Sequence, residues 1–205
     1  PVVATKGGLD LLNRAIALEQ KQDWLGLLKL SQQWVKSEPS SAGAWFSLGW
    51  AYRNLTQYDQ AIQAYRETLR IQPDWASAWF LLGVTYSYLK QYDQAIQAYR
   101  EGMRIDPEKA NVMNIWSSLG RAYFSLKQHD QAIQAYREAL RIQPENAETW
   151  LFLGWAYNGL KQNDQAIQAY REALRIQPEY AIAWDSLGGA YNDLKQYDQA
   201  IQAYR

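Results

Sequence analysis

Five copies of Asp-Gln-Ala-Ile-Gln-Ala-Tyr-Arg, at Asp59 to Arg66, Asp93 to Arg100, Asp130 to Arg137, Asp164 to Arg171 and Asp198 to Arg205, each offer a carboxylate, a phenol and a guanidinium. Together such groups could move protons or hold an anion. A reactive constellation needs unlike groups converging once, whereas these recur unchanged, as contacts common to every layer of a stack do. The repeated carboxylates are accounted for by helix ends and exposed faces, with Glu67 and Arg70 at i, i+3. His129 is the one histidine; it replaces Tyr58, Tyr92 and Tyr197 at an equivalent turn and reads as a turn residue rather than a base or metal ligand. With no Cys there is no disulfide, thiolate nucleophile or Cys-based metal site. Ser-His and Cys-His chemistry and a His-rich metal site are set aside with His129, and isolated glycines make no phosphate loop. The chain is therefore expected to be no enzyme and to need no metal or cofactor.

The elements that carry these groups are set by the period. The copies start 34, 37, 34 and 34 residues apart, and self-similarity at that spacing means an array in which each unit contacts mainly its neighbours. Counting domains from the 205-residue length is therefore uninformative. Lys plus Arg and Asp plus Glu are balanced at 21 each, which gives no long-range attraction to nucleic acid or an anionic membrane. No apolar run reaches the roughly 18 residues of a spanning helix, and no signal peptide heads the sequence. A soluble protein is expected, its compartment open, with the cytoplasm slightly favoured. Because the chain opens at Pro1 and stops inside the repeated stretch, it is expected to be a piece of a longer protein.

Residues 1–7 read as a loose lead-in, and 8–41 as a divergent first unit, with Leu11, Leu12, Ala15 and Leu18 at helical spacing, then Leu27, Leu30 and Trp34. Regular units follow over 42–75, 76–109, 110–146 with a three-residue insertion, 147–180, and 181–205, which is truncated; together they are expected to form one solenoid. In each, Trp, Leu-Gly and Tyr recur at offsets 0, 3, 4 and 7, as at Trp45, Leu48, Gly49 and Tyr52, marking one face of a helix. A short turn leads to Asp59, suited to a second helix's N-terminus, then to a stripe at Ala61, Tyr65 and Thr68. Pro73, Pro107, Pro144 and Pro178 close their units. Gly49 is expected to let helices approach opposite small residues such as Ala61. The insertion around Ala110, Asn111 and Val112 is expected to lengthen the following helix, from a unit start at Met113. A helical hairpin of about 34 residues cannot bury its apolar face alone, so the hairpins must stack.

The pattern Trp, two residues, Leu-Gly, two residues, Tyr, then Ala, three residues, an aromatic and finally Pro resembles the tetratricopeptide repeat. Four units match it completely, with Tyr65, Tyr99, Tyr136 and Tyr170 in the aromatic place, and the fifth matches up to Arg205. The resemblance implies an all-α fold, a right-handed superhelix of stacked antiparallel hairpins, whose first helices line a concave groove that usually binds a peptide or protein segment. Some members hold a chaperone's C-terminal carboxylate with a clamp of Lys, Asn and Arg; here the corresponding positions hold Phe46, Trp50, Leu81, Asn114 and Ser118, so that clamp is not expected.

Since residues common to all copies answer to stacking, function is sought where the copies differ. Those differences fall at offsets −2, +1, +2, +5, +8 and +9 from each Trp, opposite the packing stripe on a helical wheel. The resulting groove set is Phe46, Trp50, Arg53, Phe80, Leu81, Val84, Tyr88, Arg121, Phe124, Leu151, Phe152 and Trp155. For Phe46 and Phe80 burial between hairpins is the alternative. Exposed together, these side chains would form an apolar patch in need of cover. The expected role is a non-catalytic module binding an apolar or aromatic peptide or helix, with no nucleic acid and no membrane insertion. Two alternatives remain open: a structural scaffold that self-associates end to end as a homo-oligomer, and an accessory arm of a larger enzyme.

Overall fold

The computed structural model describes residues 6–112 and 114–205. All their regular elements are helices, none long and apolar enough to cross a membrane. The chain divides into two compact units, Pro1–Lys109 and Ala110–Arg205. In the front unit α1 (Lys6–Gln20) pairs with α2 (Trp24–Ser37), α3 (Ala42–Asn54) with α4 (Tyr58–Ile71), and α5 (Ala76–Tyr88) with α6 (Tyr92–Ile105). The short α7 (Pro107–Val112) carries the boundary. In the rear unit α8 (Ile115–Ser125) pairs with α9 (His129–Ile142), α10 (Ala147–Gly159) with α11 (Asn163–Ile176), and α12 (Ala181–Asp193) with α13 (Tyr197–Ala203). Each second helix also packs on the next first helix of its unit, so the chain is a set of stacked hairpins, as the period requires.

The turn inside each hairpin is a left-handed closure built without glycine. Thr56 has φ 59°, and the amide of Gln57 donates to the Tyr52 carbonyl at 2.9 Å, the reach-back bond that ends a helix. Lys90, Lys127, Lys161 and Lys195 take the same conformation. After the turn, Asp59 enters the first turn of α4, where backbone amides favour a carboxylate.

Verbatim copying of the second helices follows from three contacts. Ala61 and Tyr65 are fully buried, and the Tyr65 ring lies under Gly49, where an added Cβ would stand 2.7 Å from Cε1. The small residue thus accommodates the tyrosine ring, rather than only an opposing alanine. The Arg closing the octapeptide reaches the next hairpin: Arg66 donates to the Tyr86 hydroxyl at 2.8 Å, and Arg137 to that of Tyr157 at 2.6 Å. Finally, the indole of the framework Trp donates back to the preceding turn, from Trp45 to Pro39 O, Trp79 to Pro73 O and Trp150 to Pro144 O.

One expectation is corrected here. The insertion does not lengthen the next helix; Pro107 opens the separate α7, Asn114 turns left-handed at φ 54°, and α8 is shorter than its counterparts. Pro suits the first helical position, since its missing N–H would be unpaired there. With the proline carbonyl displaced, Trp116 donates instead to Asn111 Oδ1 at 3.1 Å. α1 begins at Lys6, while Pro1 to Thr5, and the unit start at Met113, lie outside the described residues.

Candidate aromatic and arginine patches on the first helices

In the front unit the variable positions of α3 and α5 separate into three environments. Trp50, Arg53 and Tyr88 come together: the Arg53 guanidinium lies 5.1 Å above the Trp50 ring and 5.7 Å from that of Tyr88. Such cation–π contacts strengthen as water is excluded. Trp50 is half-buried against the core of Ala15, Leu27, Leu30 and Ala51, with Trp24 edge-on at 6.5 Å. Tyr88, 57% exposed, stacks on Tyr58 at 5.1 Å. Phe46 belongs to a second environment, stacked on Trp75 at 4.5 Å and half-buried; Val84 is half-buried too.

Phe80 and Leu81 form the third environment, and they are core rather than groove. Phe80 is 0% exposed and Leu81 7%. Phe80 fills the space left by Gly102, where an added Cβ would run into the ring. The equivalent second-helix positions hold Thr68, Ala139 and Ala173, so a missing side chain on α6 is matched by a large one on α5. Leu151, also 0% exposed, is likewise withdrawn from the solvent face in the rear unit. A first helix inside a stack has neighbours on two sides, so its buried arc exceeds the single stripe that a wheel assigns to an isolated hairpin.

Elsewhere in the rear unit the expected residues do assemble. Arg121, exposed, stands 5.4 Å over Phe152; Phe152 meets Trp155 at 5.3 Å; Phe124 meets Trp155 at 6.5 Å. Trp155 is half-buried and donates its indole N–H to Ser186 Oγ at 2.9 Å, which ties α10 to α12.

Four contributors were not anticipated: Trp24, Tyr58, Trp75 and His129. His129 is no bare turn residue, since it meets Phe124 at 5.3 Å and packs under Gly159, where an added Cβ would be 2.7 Å from its ring. Tyr58 faces Tyr88, and His129 faces Gly159, at the same separation of 30 residues along the chain. A residue opening one second helix thus varies with the residue ending the next first helix, a pairing that could have been read from the repeats.

Electrostatically the two units share a motif. Tyr65 and Tyr136 are fully buried, and their hydroxyls have no hydrogen-bond partner. Burial pushes both phenols well above the usual tyrosine range, while the nearby charge of Arg53 or Arg121 works against that rise, and Glu19 or Glu148 adds to it. Arg53 Nε and the Trp50 indole nitrogen are likewise buried and unpartnered. The arrangement sets half-buried rings beside a guanidinium in both units.

Sequence profiles described as tetratricopeptide repeat match residues 42–75, 76–109, 111–179 and 181–205. None of the curated proteins matches the chain. Among solved structures, one of MamA is 27% identical with a TM-score of 0.73, covering 77% of this chain and 90% of that one. MamA from Desulfovibrio magneticus RS-1 is 18% identical with a TM-score of 0.74, covering 80% and 90%. YrrB, described as a TPR protein with an unusual peptide-binding site, is 16% identical with a TM-score of 0.74, covering 84% and 88%. Stacked hairpins, four of them carrying Trp, Leu-Gly, Tyr and a buried second-helix Tyr (Tyr65, Tyr99, Tyr136 and Tyr170), and profile matches across four segments make this chain a member of the tetratricopeptide repeat family.

Proposed function

We propose that this protein-interaction module, itself without catalysis, receives an apolar or aromatic peptide or helix on its first-helix faces. Phe46, Trp50, Arg53, Val84 and Tyr88 serve the front unit, and Arg121, Phe124, Phe152 and Trp155 the rear unit. The observation that carries this reading is the pair of half-buried indoles, Trp50 and Trp155, at the same offset in α3 and α10. Each ring has one side anchored by neighbours and another that water still reaches, so a ligand can bury further apolar area without reorganising the scaffold. That YrrB has a peptide-binding site is consistent with such a role. Gains of about 25 cal/mol per Å² of apolar area, set against the cost of association, suit micromolar affinity. The test is a peptide-library selection repeated with Trp50→Ala and Trp155→Ala combined; retention of full affinity by every hit removes the assignment.

A second reading is end-to-end association through the last hairpin, whose first helix exposes Ile182 (53%) and Trp184 (39%). Such a face suits end-to-end association with another copy. Sedimentation that finds only monomer at high concentration would count against it.

A further inference from the structure

We infer that Arg53 is the anchor of a carboxylate subsite, with Trp50 and Tyr88 as its walls, which takes an aspartate or glutamate side chain of the bound peptide. This rests on the reading that the first-helix face of the front unit receives a peptide. Arg53 makes no ion pair among the described residues, although ring contacts hold its guanidinium on two sides. Its Nε is buried without an acceptor, and the Tyr65 hydroxyl, at a fully buried residue close enough to feel the Arg53 charge, also lacks a partner. A guanidinium has no accepting atom, so a ligand group that pairs with Arg53 must bring acceptors. A carboxylate engages a guanidinium through two parallel bonds, and rings on either side reduce the water that would otherwise compete.

Other features distinguish this place from the rest of the surface. The second-helix arginines Arg66, Arg137 and Arg171 are already committed to tyrosine hydroxyls, and Arg70, Arg104, Arg141 and Arg175 to glutamates. The charge that opposes a carboxylate here is Glu19, exposed on α1 and near enough to act on Tyr65. It makes no ion pair with Arg53, so its removal should favour the ligand rather than collapse the site.

The experiment uses indole-3-acetate and its uncharged amide, indole-3-acetamide, as probes of the full chain labelled with ¹⁵N, reading the Arg53 Nε–H and Trp50 indole signals. Indole-3-acetate should shift both signals saturably, and the amide should bind about tenfold more weakly or not at all. Arg53→Gln should remove the Trp50 response, with the Trp155 signal of the rear unit as an internal control for folding. Glu19→Gln should tighten binding about twofold. Equal responses to both probes, no saturable shift, or an undiminished response in Arg53→Gln overturns the subsite. Library peptides that bind the face but tolerate Asp→Asn, Glu→Gln and the Arg53→Gln variant would also overturn it while sparing the peptide reading. A charge-selective response without any peptide binding would do the reverse.

Discussion

The front and rear units place an arginine and aromatic rings above a buried second-helix tyrosine, yet they use the same scaffold differently. In front, Arg53 at offset +8 lies against Trp50 and Tyr88 with its Nε buried. Behind, Arg121 at offset +5 is exposed over the single ring of Phe152, and offset +8 is taken by Phe124, which packs on His129. The indoles differ in the same sense. Trp155 spends its N–H on Ser186, whereas that of Trp50 is buried without a partner. A scaffold held by identical second helices therefore leaves its first helices free to distribute polar groups unequally: the front patch leaves the Trp50 indole and Arg53 Nε unpaired, while the rear patch pairs its Trp155 indole and leaves the Tyr136 hydroxyl and His129 Nδ1 without partners.

That comparison can be broken at the scaffold or sharpened at the patches. The largest effect is expected from Gly49→Ala and Gly120→Ala, whose new Cβ atoms would lie 2.7 and 2.5 Å from the rings of Tyr65 and Tyr136. Each should cost about 1–3 kcal/mol by urea unfolding, and similar losses in both units would support a common scaffold. Trp155→Phe and Trp50→Phe should separate the patches. The first should cost about 1 kcal/mol more than the second, because it alone removes a hydrogen bond, the one from the indole to Ser186 Oγ.

Alkaline pH should reveal the buried phenols. Since Tyr65 and Tyr136 are raised above their unfolded value of about 10, their contribution is fully present below that pH and lost as pH rises through the folded range. Stability should therefore fall above about pH 10. Tyr136→Phe should flatten that fall, as measured by urea midpoints across a pH series. The smallest effect is expected at the left-handed turns, where Lys161→Gly should gain up to about 1 kcal/mol by removing a Cβ penalty. Thermal unfolding would register it.

The hairpins were legible because each contact is written several times: the Gly beneath Tyr, the octapeptide Arg and the framework Trp all recur at fixed spacing. The patches were less legible because they depend on residues written once. Whether Phe80 faces the groove or the core was undecided from its own helix, because the answer lies in its complement, Gly102, which vacates the space beneath it. Tyr58 and His129 looked like turn residues because their partners, Tyr88 and Gly159, lie one repeat away on another helix. A helical wheel describes one helix, and these positions are decided by pairs of helices.

The most direct test of ligand binding on the first helices is a ¹⁵N spectrum recorded with a saturating library peptide. The indole signals of Trp50, Trp155 or both should move together with amides of α3, α5, α8 and α10, while the outer amides of α4 and α11 stay still. Movement confined to α12 and α13, with both indoles silent, would contradict the account and leave end-to-end association as the better reading.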